Sequence, residues 1–292
     1  MKKLLITRAL PDAVVAKAQA RFDVTLRDST AGMTPVEAAA ALADYDAILL
    51  TLGDQFAAEA FDGKIRCGVL ANFGVGYNHI DVTADAAAGV AMSNTPDVVT
   101  DATADIAMTL IMMACRRAGE GERWVRAGKW DGWGPMQMLG THVTGKRLGI
   151  IGMGRIGQAV AKRGHYGLDM PVIYYNRSQK EVDVPSRQVD TLDALMSQAD
   201  VIGVTVPGGG ANTHLIGADA LAQMDDGAVF VNVARGDVVD EPALVAELQS
   251  GRIIAGLDVY EAEPTVPDAL KSLENVVLLP HLGTAALEVR TQ

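Results

Sequence analysis

The chain has 292 residues, of which 49% are hydrophobic and 21% charged. That is enough apolar material for a sizeable core, suggests about two domains, and excludes a disordered chain or a repeat array. With 25 basic against 36 acidic residues the net charge is −11, which argues against a nucleic-acid or anionic-membrane partner.

No apolar run reaches the ~18 residues that a spanning helix needs. Arg8 and Asp12 interrupt the first apolar stretch too early for a secretory signal. Cys67 and Cys115, far apart and in apolar segments, fit reduced thiols of a cytoplasmic protein. No His/Cys cluster has metal-ligand spacing, so no metal site is expected.

From the N-terminus, short apolar runs alternate with alanine-rich helical stretches. Leu4–Thr7 reads as a strand, Pro11–Ala20 as a helix with proline near its start, and Val24–Leu26 as a second strand. Thr34, Pro35 and Glu37 open the next helix with a cap, a proline and an early acid. Ala47–Leu50 and Gly68–Ala71 are buried-strand runs, Asp81 caps a helix that stops near Gly89, and Val90–Met92 is a strand. Such alternation predicts a parallel sheet covered on both faces.

Asp101–Arg117 has strong helical periodicity, through Ala104, Ala107, Met108, Ile111, Met112 and Cys115. All three tryptophans follow, Trp124, Trp130 and Trp133, in a chain only 5% aromatic. Two readings stay open: local core beneath a loop, or an arm that packs on a second subunit, which the Trp and Met content favours. From Lys146 the alternation resumes, with strands at 148–151, 172–175, 201–206, 228–233, 253–258 and 276–279 and helices at 155–164, 192–198 and 241–249. The fold class expected is α/β with two doubly wound parallel-sheet domains. A smaller α/β unit takes residues 1–96, and a complete doubly wound domain with the arm takes 97–283.

Gly152-Met-Gly154-Arg155-Ile156-Gly157 is a G-x-G-x-x-G turn that follows an apolar strand and opens a helix. That context marks a dinucleotide site: Gly152 for the tight turn, Gly154 for backbone approach to a pyrophosphate, Gly157 for close helix–strand packing. The next strand ends in Asn176-Arg177-Ser178 with no acid to hold a ribose 2′-hydroxyl. Hydrogen-bonding groups and a positive charge there predict NADP(H) over NAD(H); in the alternative, Arg177 is merely exposed and both cofactors serve.

Of the five histidines, His142, His165 and His214 lie in polar stretches and read as solvent-exposed, and His79 fits a turn. His281 follows an apolar strand, and ligands in such folds bind beyond the carboxyl ends of strands. Arg235 follows another strand and could grip a carboxylate with its fork. Asp258, Glu261 and Glu263 follow a third, and a carboxylate beside a histidine favours the imidazolium that donates a proton.

These residues resemble the D-isomer-specific 2-hydroxyacid dehydrogenase family over essentially the whole chain. The resemblance rests on Gly152–Gly157, Asn232-Val-Ala-Arg235-Gly236, Gly256-Leu-Asp258, Glu263-Pro264 and Pro280-His281-Leu-Gly283. It implies Arg235 on the substrate carboxylate and carbonyl, His281 as general acid/base, Glu263 as its partner with Glu261 as the alternative, and Asp258 at the nicotinamide carboxamide. It also implies that Val75 and Gly76 hold the carboxylate through backbone N–H groups, that Thr103 lies near the nicotinamide and Pro207 beside the cofactor, and that the chain is a homodimer in which Trp130 or Trp133 reaches a partner's pocket. Asn94–Asp105 is similar to the glyoxylate and hydroxypyruvate reductase branch. Two domains would then close over the substrate, with hinges near 94–100 and Gly283. The sequence departs from the family at Gly208-Gly-Gly-Ala-Asn212, where a threonine-containing loop is usual, so contacts to the adenosine half stay open. Residues 284–292 read as the start of a C-terminal helix returning to the first domain. Two other readings on this scaffold are a dehydrogenase for lactate-like or bulkier acids and a dinucleotide-sensing interaction protein.

Overall fold

The structure is a computed structural model that describes residues 1–292. The chain divides into two units, Met1–Val99 with Ala285–Gln292, and Thr100–Thr284.

The first unit runs β1 (Lys3–Ile6), α1 (Asp12–Gln19), β2 (Asp23–Leu26), α2 (Pro35–Asp44), β3 (Ala47–Thr51), β4 (Val69–Phe73), α3 (Val82–Ala87) and β5 (Ala91–Ser93). Its five strands pair in parallel in the order β2-β1-β3-β4-β5, the flavodoxin-like order. Thr34 and Glu37 form the capping box that starts α2, with Pro35 in the first turn, and the Asp81 carboxylate accepts from Thr83 and Ala84 to start α3. Period-2 burial places Ile48 and Leu50 of β3 and Leu70 of β4 in one core with Leu5, Leu42 and Phe56. Asn72 is the last buried position on that face of β4, which aims its amide at the loop beyond the strand.

The second unit opens with α4 (Thr100–Cys115) and α5 (Ala118–Arg126). It continues through β6 (Leu148–Ile151), α6 (Arg155–Leu168), β7 (Val172–Tyr175), β8 (Ser186–Gln188), α7 (Leu192–Met196), β9 (Val201–Val204), α8 (Ala218–Ala222), β10 (Val229–Asn232), α9 (Glu241–Gln249), β11 (Ile254–Leu257), α10 (Asp268–Lys271) and β12 (Val276–Leu278). The sheet order is β12-β11-β10-β9-β6-β7-β8, a Rossmann order extended by one strand. β6, β9 and β10 are buried at every residue, because helices cover both faces. One core holds Leu195, Ile202, Phe230 and Leu244; the other holds Leu110, Ile111, Leu148, Ile150 and Val160. α11 (Leu287–Thr291) closes the chain.

Departures from the sequence expectation include the short helices α8 and α10, which it does not place, and three further features. β8 is Ser-Arg-Gln on the sheet edge, with no apolar run to announce it. α5 carries Gly119 and Gly121, each costing about 1 kcal/mol of helix propensity, and is held instead by pairs from Arg117 to Glu120 and Arg126 to Glu122. The core reading of the tryptophan cluster fails: Trp130 is 57% and Trp133 83% exposed, with Met136 and Leu139 exposed beside them. No helix is long and apolar enough to cross a membrane.

Candidate active site

Three adjacent strands end in step. Asn232 of β10 is level with Leu257 of β11, which is level with Leu278 of β12. Arg235, Asp258 and His281 follow those ends within three residues, at the carboxyl edge where ligands of such sheets bind.

Asp258 is almost wholly buried, and its two carboxylate oxygens accept from the backbone N–H groups of Leu282 (2.6 Å) and Gly283 (2.9 Å). Its carbonyl accepts from the His281 N–H at 2.9 Å, and Gly283 in turn accepts from the buried Thr103 hydroxyl at 3.2 Å. Burial raises the Asp258 carboxyl, against the backbone N–H of Leu282 and the nearby His281. These contacts brace the segment that carries His281, whose backbone is left-handed at φ +54°.

His281 Nδ1 lies 2.8 Å from Glu263 Oε2, and both side chains are 28% exposed. Glu263 Oε1 also accepts from the Tyr260 N–H at 3.0 Å. Burial pushes the Glu263 carboxyl up, but the hydrogen bond and charge of His281, the Tyr260 amide and Arg235 outweigh it and hold it below its ordinary value. An ionised carboxylate only accepts, so Nδ1 carries the hydrogen and Nε2 is the ring nitrogen left for chemistry. Glu261, the other acid considered, turns away and meets His214 Nε2 at 2.8 Å. His142 is exposed, His165 is half-buried on the Met170 carbonyl, and His79 braces Asn72 at 3.1 Å.

Arg235 follows an Asn232 turn, in which the Asn232 amide donates to the Arg235 carbonyl and its oxygen accepts from Ala234 N–H. Its guanidinium donates to the Ala234 carbonyl at 2.7 Å and makes no ion pair. Burial lowers the Arg235 pKa, while the charges of Glu263 and Asp237 oppose that. A buried cation with unused donors suits an anionic ligand. Sequence reasoning missed Asp237 and the packing of Gly208. A Cβ on Gly208 would come within 2.6 Å of Asp237 Oδ1 and 2.7 Å of Arg235 Cγ. An acid two residues after the arginine was the only available signal.

The glycine turn fits a dinucleotide. Gly152 has φ +98°, and a Cβ there would strike Val206; one on Gly157 would sit 2.3 Å from the Gly152 carbonyl oxygen. Gly154 faces open space instead, and it begins α6 without a side-chain cap. Packed glycines, one open glycine and an uncapped helix start together make a phosphate cradle. Arg155 and Ile156 form the first turn of that helix. At the end of β7 the Asn176 amide donates to the Ser178 carbonyl at 2.7 Å, and Arg177 is exposed without an ion pair. Pro207 presents its carbonyl to the Asn212 amide at 2.9 Å.

In the first unit the Asn72 amide donates to the carbonyls of Gly74 (3.0 Å) and Gly76 (2.9 Å), and the Asn94 amide to that of Val75 (2.9 Å). With the three carbonyls tied, the loop keeps its Val75 and Gly76 N–H groups for an external acceptor.

The family model for the D-isomer specific 2-hydroxyacid dehydrogenase NAD binding domain matches residues 108–283. A glyoxylate reductase of Korarchaeum cryptofilum is 39% identical over 295 residues, covering 99% of this chain and 89% of that one. A glycerate dehydrogenase of Hyphomicrobium methylovorum is 37% identical over 297 residues, covering 99% and 91%. The NADPH-dependent glyoxylate/hydroxypyruvate reductase of Sinorhizobium meliloti, solved with NADP and malonate, superposes with a TM-score of 0.86 at 33% identity, covering 99% and 89%. A Rossmann unit whose strand ends gather an arginine and a histidine–glutamate pair defines a nicotinamide-dependent oxidoreductase. The chain belongs to the D-isomer specific 2-hydroxyacid dehydrogenase family, whose members interconvert 2-hydroxy and 2-oxo acids.

Proposed function

We propose that the chain reduces small 2-oxo acids, glyoxylate and hydroxypyruvate, with NADPH as the preferred reductant. The observation that carries this reading is the His281–Glu263 pair beside an arginine with unused donors. The relatives named glyoxylate reductase and the NADP-bound neighbour support the substrate class and the cofactor. When bound, the cofactor supplies a hydride to the 2-oxo carbon.

The rest falls to the chain. In the second unit Arg235 holds the substrate carboxylate and stabilises the charge that develops on the carbonyl oxygen; in the first unit Val75 and Gly76 offer backbone N–H groups to a carboxylate. His281 gives that oxygen its proton from Nε2, and Glu263 keeps the ring oriented. Gly152, Gly154 and Gly157, with the Arg155–Ile156 helix start, hold the pyrophosphate. Asn176, Arg177 and Ser178 receive the 2′-phosphate, and Thr103, Pro207 and Asp258 line the nicotinamide side. The exposed Trp130, Trp133 and Met136 form the surface on which a second copy packs.

Initial rates of NADPH and NADH oxidation with glyoxylate, then hydroxypyruvate, test the assignment. Fast turnover favouring NADPH is the expected result. Turnover with NADH alone would defeat the cofactor reading, and tight NADPH binding without turnover on either acid would defeat the substrate reading.

A further inference from the structure

The loop between β9 and α8 is not explained by the catalytic pair. It carries Gly208-Gly209-Gly210, and Gly209 and Gly210 are left-handed at φ +76° and +55°. Three consecutive glycines lose more conformational freedom on ordering than any other residues would, so something must fix them. The Asn212 amide on the Pro207 carbonyl and the turn bonds from Asn212 and Thr213 N–H to the Gly209 and Gly210 carbonyls shape the loop, and Asp237 ties it to the Arg235 segment. Its Oδ2 accepts from the Gly209 N–H at 2.7 Å, and its backbone carbonyl accepts from the His214 N–H at 2.8 Å. Gly208 is pressed where a Cβ would meet Asp237 Oδ1 and the Cβ and Cγ of Arg235, all within 2.8 Å. The backbone of the loop, rather than a side chain, thus packs against the stem of the arginine. Asp237 makes no ion pair with Arg235, because the carboxylate is spent on the loop, and the guanidinium keeps its donors.

We propose that Asp237 is a positioning residue for substrate binding: its carboxylate clamps the glycine loop onto the Arg235 stem and so aims the guanidinium at the 2-oxo acid. The proposal rests on the reading of Arg235 as the substrate-carboxylate ligand.

The test uses the full chain with glyoxylate at saturating NADPH. Asp237→Ala raises KM by about tenfold and lowers kcat as well, since the same guanidinium stabilises the charge developing on the carbonyl oxygen. Asp237→Asn, whose amide oxygen still accepts from Gly209, recovers KM to within about twofold of the parent. Gly208→Ala, with Asp237 intact, raises KM as Asp237→Ala does, and it decides the matter should Asp237→Ala fail to fold. Amide hydrogen exchange followed in parallel accelerates at Gly209 in Asp237→Ala and not in Asp237→Asn. Unchanged KM in both Asp237→Ala and Gly208→Ala overturns the proposal, as does an Asp237→Asn variant as impaired as Asp237→Ala. Unaccelerated exchange at Gly209 in Asp237→Ala overturns the clamp itself, independently of turnover. Arg235→Ala run alongside separates the two readings: if its own KM is unmoved, Arg235 is no substrate ligand and the proposal falls with that assignment, whatever the exchange shows.

Discussion

Two histidine–glutamate pairs draw on acids two residues apart, Glu261 and Glu263, and both close at 2.8 Å. Both histidines also have a left-handed backbone, at φ +49° for His214 and +54° for His281. Their surroundings differ. His281 meets its partner through Nδ1, is braced by Asp258, and shares Glu263 with the Tyr260 amide near Arg235. His214 meets Glu261 through Nε2, with side chains 44% and 34% exposed, and faces Asp240 and Asp237. A short contact therefore does not assign a task. What distinguishes the pairs is the ring nitrogen left over, the rigidity of the segment behind it and the charges beside it.

Replacing one histidine at a time breaks this comparison most directly. His281→Gln is expected to lower kcat by about 10²- to 10⁴-fold with NADPH affinity intact, measured by initial rates and by fluorescence titration. His281→Gln activity close to the parent would mean that the two pairs are equivalent. Glu263→Gln comes next, with a smaller loss of kcat and a changed acid limb of the pH–rate profile. Glu263 is held below its ordinary value, so its stabilising contribution is complete above the unfolded carboxylate value. It disappears as pH falls through the folded one. Melting curves in acid should steepen for the parent relative to Glu263→Gln.

Away from both pairs, Arg177→Ala should weaken NADPH by about tenfold, the scale of one charge-assisted contact, and leave NADH nearly unchanged. Equal losses for both cofactors would remove Arg177 from the 2′-phosphate. The smallest effect belongs to His214→Gln. The Glu261 hydrogen bond, set against slight desolvation and aided by Glu261, Asp240 and Asp237, raises the His214 pKa. Its contribution is therefore present below the ordinary histidine value and is lost as pH rises through the raised one. His214→Gln should flatten the melting temperature across that window and leave kcat unmoved.

Much of this was legible in the sequence where burial imposes a period. The strands of both sheets announce themselves as apolar runs, and the glycine turn is readable because its neighbours form a strand and a helix. The Glu-Ala-Glu-Pro run offered two acids, and only the path of the chain separates Glu263 from Glu261. β8 was silent because an edge strand of Ser, Arg and Gln has no buried face to encode. The contact of Gly208 with Arg235 was silent for a different reason. It joins residues 27 positions apart through the absence of a side chain, which no local pattern records.

The order of the larger sheet works as a ruler. Arg235, Asp258 and His281 stand beyond β10, β11 and β12, while Asn176 and Arg177 stand beyond β7, with β9 and β6 between. At about 4.8 Å per strand, the end of β7 lies some 14 Å from Arg235 and some 24 Å from His281 along the sheet. Substitutions at that spacing add without interference. On the roles proposed for these residues, cofactor choice is retuned at the end of β7 without disturbing the proton-transfer machinery, and a lineage could change its electron supply while keeping its reaction.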